Sequence, residues 1–291
     1  MEIQEFYNLN QLILDVGLLI LFFVLILLAK IINNLLSPYS IDTELTQKDN
    51  NALSISLCGY FLAITFIFIG AMIGPQHEIV NMDVIKQDLI GTAKYVLLGI
   101  LLLNISRFIN DKLILYKFSN VKEIIEDRNS GTGAAQFGSY VASGLIIAGS
   151  VHGEGGGVLT TIAFFALGQV ALVVFTYLYN LITPFDIHKE IENDNVAAGI
   201  AFGGILTSLG IVLMTATSGN FYSWKENLTF FAIDSILICV LLPLGRFLFD
   251  KLIIPNSSLN HEISHDRNNG AALLEAVFAI SIASVLCFII S

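Results

Sequence analysis

The chain has 291 residues, of which 55% are hydrophobic and only 13% charged, with 24 Asp and Glu against 14 Lys and Arg and a net charge of −10. Soluble domains carry about 25% charged residues, so about half of the usual solvated surface is missing and a soluble catalytic domain is excluded. The acid lies in loops and near helix ends, and no basic patch with interleaved aromatics is present, which excludes nucleic-acid binding.

The apolar residues gather into long runs that match a hydrocarbon core of about 30 Å. In lipid every backbone group must be paired internally, so the runs are predicted as helices, and the fold class is an all-α membrane protein. Eight spans are predicted, at about 12–32, 52–73, 86–106, 132–151, 157–182, 196–217, 228–249 and 270–290. The first holds Asp15 near its start, follows acidic residues (Glu2, Glu5) and lacks a basic n-region or cleavage site, so it reads as a retained anchor. Lys86, Gln87, Asp88 and Lys94 crowd the first half of the third. The fourth carries Ala135, Ser139 and Ser143 at four-residue steps, and the sixth carries Ala197, Gly199, Gly203, Ser208 and Gly210; small residues let backbones approach in lipid. Between the fourth and fifth, His152-Gly153-Glu154-Gly155-Gly156-Gly157 forms a tight joint without the context of a phosphate loop. Cys58, Cys239 and Cys287 all sit inside apolar runs and read as small hydrophobes.

Charge sets the orientation. The connections after spans 1, 3, 5 and 7 hold Lys30, Lys48, Arg107, Lys112, Lys117, Lys122, Arg128, Lys189, Arg246, Lys251 and Arg267, whereas the other side holds Lys86, Lys94 and Lys225. The positive-inside rule puts the first group in the cytoplasm and both termini outside.

Repeats organise the rest. Residues 107–131 align with 246–270 without a gap, sharing Arg107/Arg246, Asp111/Asp250, Glu123/Glu262, Arg128/Arg267 and Asn129/Asn268, and residues 34–59 match 180–204. The chain divides into two tandem four-helix units, 1–152 and 157–291, each built from two parallel two-helix repeats. Every cytoplasmic loop has Glu followed by Leu or Ile (Glu44, Glu123, Glu190, Glu262), then an Asn (Asn50, Asn129, Asn195, Asn268) that opens a small-residue helix. These asparagines are candidate N-caps; a ring of four acids attracting cations or polyamines is the functional alternative. Repeats of this kind point the same way, so their axis runs along the membrane normal, and four equivalent helices are expected to surround it as a packed core or a pathway.

The segments Thr183-Pro184-Phe185-Asp186, Lys189-Glu190-Ile191-Glu192, Asn195-Val196-Ala197-Ala198-Gly199-Ile200, Gly203-Gly204 and Glu262 to Glu275 resemble the domain-of-unknown-function 350 family, the YjfL-like bacterial inner-membrane proteins. The resemblance implies a polytopic inner-membrane protein with tandem units and no established activity. It also implies an association with envelope-stress factors resembling phage-shock protein A and with polyamine-conjugating enzymes, and assigns no residue a role.

Few side chains are candidates for chemistry. Glu275 lies five residues into span 8, where an ionisable group must face the bundle or water. Gln136 stands at the equivalent place in span 4. Glu275 is read either as a proton or cation site or as a buried carboxyl paired to a helix-end Arg or to backbone. Arg107 with Asp111, and Arg246 with Asp250, are spaced for ion pairs on one helix face. Asp234 and Lys94 occupy nearly equivalent places in spans 7 and 3 and would pair if the copies met across a two-fold axis. His261 and His265 lie at i,i+4 beside Glu262 and Asp266, a metal-ligand spacing in which no third ligand is identified, so a solvated loop is the expectation; no metal, cofactor or enzymatic arrangement is expected. The expected partners are the lipid bilayer, a cytoplasmic protein and further copies of the chain. Two readings follow: a small-solute or cation (proton or polyamine) pathway through the bundle, or a non-transporting scaffold whose loops recruit an envelope-stress protein. The apolar stretches Leu113-Ile114-Leu115 and Leu252-Ile253-Ile254 are expected to lie at the interface.

Overall fold

The computed structural model describes residues 9–73, 80–153, 155–253 and 257–290, without the side chains of 238, 239, 242 and 290. Glu154, Ile254 and the Cys239 side chain lie outside the described residues. Four helices of 22 residues each, α3 (Asn51–Met72), α6 (Ser130–Val151), α9 (Val196–Thr217) and α12 (Asn269–Ile290), form an inner set. At 1.5 Å per residue, each is about 33 Å long, one hydrocarbon thickness. Four longer helices alternate with them: α1 (Leu9–Leu36), α4 (Met82–Ile109), α7 (Val158–Ile182) and α10 (Trp224–Leu252). A six-residue helix precedes every inner helix: α2 (Ile41–Thr46), α5 (Asn120–Ile125), α8 (Ile187–Glu192) and α11 (Leu259–Ser264).

Seven helices among the described residues are long and apolar enough to cross a membrane. The eighth long helix, α10, contains the predicted span 228–249, and three of its central side chains lie outside the description.

The inner helices stand in an open row. α3 packs on α6, α6 on α9 and α9 on α12, with α4, α7 and α10 each lying against two neighbouring inner helices and α1 against α4 and α3. The expectation that four equivalent helices surround an axis is therefore corrected: the row has two ends, and its members touch backbone to backbone. A Cβ on Gly59 would lie 2.7 Å from the Phe137 carbonyl oxygen, one on Gly138 would lie 2.6 Å from the Gly203 carbonyl carbon, and one on Gly204 would lie 2.6 Å from the Ala276 Cα. These three glycines occupy one repeat position. The row runs through both tandem units without a break, and burial follows the row: 83% of the α9 span and 72% of the α6 span are buried, against 28% of α12 at one end.

The loop side departs from expectation at residues 110–115. Helix α4 continues as a π-helical turn, Asn110–Ile114, and Ile114 and Leu115 are buried in the core rather than spread on an interface. In the second copy Leu252 and Ile253 are exposed.

Candidate functional site

The most regular feature is the turn that joins each outer helix to the next inner one. The last turn of the outer helix supplies an acceptor to the first residue of the short helix. Asn34 Oδ1 accepts the Ile41 N–H at 3.2 Å, Asn180 Oδ1 the Ile187 N–H at 3.4 Å and Asp250 Oδ1 the Leu259 N–H at 2.7 Å, while Asp111 Oδ1 accepts the Asn120 side-chain amide at 2.9 Å. Ser40, Ser119, Asp186 and Ser258 cap the short helices. The chain then passes through a left-handed residue, Asp49, Arg128, Asp194 or Arg267, with φ of 49°, 54°, 57° and 51°. A non-glycine residue here is uncommon, and its recurrence four times marks a built turn.

Next comes the asparagine. Asn50, Asn129 and Asn195 accept the third N–H of their inner helix, and Asn268 accepts the N–H groups of Gly270 and Ala271. Each side-chain amide also donates to its own loop glutamate: Asn50 to Glu44 at 3.3 Å, Asn129 to Glu123 at 2.9 Å, Asn195 to Glu190 at 2.9 Å and Asn268 to Glu262 at 2.8 Å. The second amide hydrogen crosses to the following repeat, from Asn50 to the Ile124 carbonyl at 2.9 Å, from Asn129 to Ile191 at 2.6 Å and from Asn195 to Ile263 at 2.9 Å. One side chain thus caps a helix, holds a loop and fastens the next repeat. The buried Asn129→Ala variant is expected to lose about 2 kcal/mol or more, a cap plus a buried hydrogen bond. Detergent unfolding of the purified protein measures it, and an unchanged midpoint would remove the fastening role.

The loop glutamates are equivalent in sequence but not in environment. Lys48 donates to Glu44 at 2.5 Å and holds its carboxyl below the usual range. Burial pushes Glu123 above it, more than the Asn129 hydrogen bond pulls it down. A raised carboxyl pKa contributes stability that is complete below the unfolded value near 4.5 and is lost as pH rises through the folded value; a lowered one does the reverse. Glu123→Gln is therefore expected to unfold at or above the wild-type temperature at pH 8 and Glu44→Gln below it; the Glu123 difference should shrink as pH falls towards 4.5, and the Glu44 difference only as pH falls below 4.5. Same-sign shifts at pH 8 would contradict the assignment.

The polar groups inside the helices differ between the copies. Arg246 Nε donates to Glu275 Oε1 at 2.6 Å, Arg246 Nη2 donates to Asn260 Oδ1 at 2.9 Å, and the guanidinium lies 5.4 Å from the Tyr179 ring centre. Glu275 is 2% exposed, and among the described residues its Oε2 has no hydrogen-bond partner. Beside it lies a cavity of about 10 Å³ lined by Ile205, Gly245, Phe249 and Ile282, about the room of one water. In the first copy Arg107 donates to Asn33 at 2.7 Å and to Ser37, while Gln136 Oε1 accepts from Ser56 at 2.6 Å. Ala201 stands in α9 where α3 has Ser56, so α9 offers the Glu275 carboxylate no hydroxyl and the arginine supplies its donor.

Two sequence-predicted pairings are corrected. Arg107 and Arg246 give their hydrogen bonds to the partners just named, and Asp111 and Asp250 act as loop acceptors because a donor at the start of the short helix lies within their reach; each aspartate still feels its arginine's charge, without a direct ion pair among the described residues. Lys94 and Asp234 do not meet: Lys94 Nζ lies 5.4 Å from the Tyr95 ring centre in α4, while Asp234 is part-buried in α10, several helices away along the row.

Sequence reading missed a buried polar cluster in which Asn110 and Gln169 both donate to Ser143 Oγ, at 3.1 and 3.2 Å, with their own carbonyl oxygens unpartnered. A lone polar residue in each of three separate segments carried no signal that they meet. On the side opposite the loops, a polar cavity of about 80 Å³ is lined by Tyr95, Ser150, His152, Thr160, Thr161 and Asn227, room for a few waters. The structure also brings a third group to His261 and His265: their ligand atoms and that of Asp266 lie within 4.8 Å of one another, all exposed. The equivalent positions in α5 hold the ion pair Lys122–Asp127 at 2.8 Å, so His261 and Asp266 repeat a loop-closing contact.

These features define a polytopic α-helical integral membrane protein whose segments repeat in tandem. The chain belongs to the family described as Domain of Unknown Function (DUF350), whose model matches it twice, over residues 7–151 and 155–290. It is similar to a UPF0719 transmembrane protein of Aquifex aeolicus (strain VF5), with 25% identity over 249 residues, 83% of this chain and 87% of that protein. It is also similar to the UPF0719 inner membrane protein YjfL of Escherichia coli (strain K12), with 31% identity over 67 residues, 21% of this chain and 51% of that protein. No solved structure matches the chain.

Proposed function

We propose that the chain is an eight-span bacterial inner-membrane protein with both termini outside, acting as a rigid platform whose cytoplasmic tier of short helices docks a soluble protein. The observation that carries this reading is the fastening of α5, α8 and α11 by Asn50, Asn129 and Asn195, which joins the loops into one continuous surface. The close backbone contact of the inner row supports it, since helices in such contact leave little room for a solute between them. Orientation rests on the charge count: eleven Lys and Arg belong to the loop side against three on the other. Reporter fusions at Asn120 and Gly153 are expected to report inside and outside respectively, and the reverse result overturns the orientation. Photocrosslinkers placed on the exposed residues Val121 and Glu192 of the short helices are expected to capture one dominant cytoplasmic protein in cells, and capture of none overturns the platform.

The second reading, a proton or cation pathway, is favoured by the unpartnered Glu275 Oε2 beside a water-sized cavity. Proteoliposomes test it directly. Proton, potassium or spermidine flux that is lost in Glu275→Gln supports a pathway, and no flux through the wild type removes it.

A further inference from the structure

Successive inner helices meet through the same two sets of positions. In α3 the forward set is Ala52, Gly59, Ala63 and Gly70, and the set receiving it on α6 is Gly133, Phe137, Gly144 and Ala148. Moving forward by 79 residues (129 − 50) gives Gly131, Gly138, Ala142 and Gly149 on α6; moving the receiving set by 66 (195 − 129) gives Gly199, Gly203, Gly210 and Met214 on α9. Those are the residues in contact there. A third step gives Gly204 against Ala276 and Thr215 against Cys287, whose Oγ1 and Sγ are 2.8 Å apart.

Each end of the row leaves one set uncovered. On α12 the forward set is Gly270, Val277, Ser281 and Phe288, all exposed, with Val277 at 59% and Phe288 at 87%. On α3 the receiving set is Ser54, Cys58, Thr65 and Ile69, with Cys58 and Ile69 exposed and the other two part-exposed. Faces of α1 that lipid covers are made of Leu19, Phe23, Val24, Leu27 and Ile31; the two uncovered sets mix Val277, Phe288 and Ile69 with Gly270, Ser281, Ser54, Cys58 and Thr65, small residues of the kind that line helix interfaces in membranes. The pairs match in size, Gly270 with Ser54 and Ser281 with Thr65 being small, and Phe288 with Ile69 large. The loop tier is open at the same two ends. Asn268 donates to Glu262 and, among the described residues, to no following repeat, and no side-chain amide reaches the carbonyl of Leu45, the counterpart of Ile124, Ile191 and Ile263.

We infer that α12 of one chain docks on α3 of a second copy, continuing the row in the same register, with Asn268 of one chain donating to the Leu45 carbonyl of the next. Such a contact is heterologous, so it propagates into a ring or an open array instead of stopping at a two-fold dimer. Val277 replaces a glycine of all three earlier repeats and Phe288 a glycine or threonine, so the helices stand further apart here than within the chain, and the contact is the weakest in the row.

Disulfide mapping in native membranes tests the register. In the full chain with Cys239→Ala and Cys287→Ala, Val277→Cys together with the native Cys58 is expected to give an oxidised ladder of dimers and higher species, or one closed size. Cys58 alone, Val277→Cys in a Cys58→Ala background, and Cys58 with Leu181→Cys are expected to stay monomeric. Cross-links between like residues would show a two-fold contact and overturn the proposal. Monomer alone would also overturn it if the untouched chain, in nanodiscs large enough for several copies, has the mass of a single one. Asn268→Ala is expected to lower the cross-linked fraction about fivefold, the worth of one hydrogen bond.

Discussion

Replacing Gly138 with valine is expected to destabilise the protein severely, by about 3 kcal/mol, the upper end of the usual cost of overpacking. The Cβ alone would stand 2.6 Å from the Gly203 carbonyl carbon, against backbone that cannot swing aside as a side-chain end can. The contact lies between α6 and α9, the two most buried helices, so separating them opens the row at its centre. Gly91 is the control: among the described residues nothing lies within 4 Å of a Cβ there, and Gly91→Ala is expected to be neutral or to stabilise by about 0.5–1 kcal/mol through helix propensity. Monodisperse yield and the midpoint of unfolding in mixed micelles read both. A Gly138→Val protein as stable as wild type would mean that α6 and α9 do not touch.

Arg246→Ala is expected to cost about 3–5 kcal/mol, because it strands the Glu275 carboxylate in a site only 2% exposed. Glu275→Gln leaves a neutral acceptor for the guanidinium and should cost less. Truncating both residues to apolar side chains of similar size should recover most of the loss, as for other buried pairs. The first copy supplies the comparison: Arg107 donates to Asn33 and Ser37, and the carboxylate that feels its charge, Asp111, keeps the Asn120 amide as its own donor, so Arg107→Ala should cost less, about 1.5–3 kcal/mol. Equal losses at the two arginines would show that the Glu275 charge is not held by Arg246.

Much of this architecture is legible along the chain. Apolar runs of about twenty residues define the long helices, and Asn50, Asn129 and Asn195 are recognisable as caps because capping is chemistry within three residues. The glutamates mark the loops for the same reason. What a residue does across the row is less legible. Arg107 and Asp111 are ideally spaced for an ion pair, yet both have better partners on other segments. Lys94 and Asp234 are matched in sequence position and held on different helices. Gln136 and Glu275 read as isosteres, while their different bonds follow from Ser56 and Ala201 on the preceding inner helix.

The sequence by itself determined the membrane class, the long apolar helices and the fourfold recurrence of the Glu–Asn loop, since hydrocarbon thickness and capping act over a few residues or one helix. Only the tertiary structure decided that the repeats form an open row and not a ring. It also decided that Asn50, Asn129 and Asn195 fasten the following repeat, through bonds 74, 62 and 68 residues apart. The physical reason is the same in both cases. Glycines permit close approach without specifying which helix approaches, and an amide hydrogen carries no record of the carbonyl it will meet.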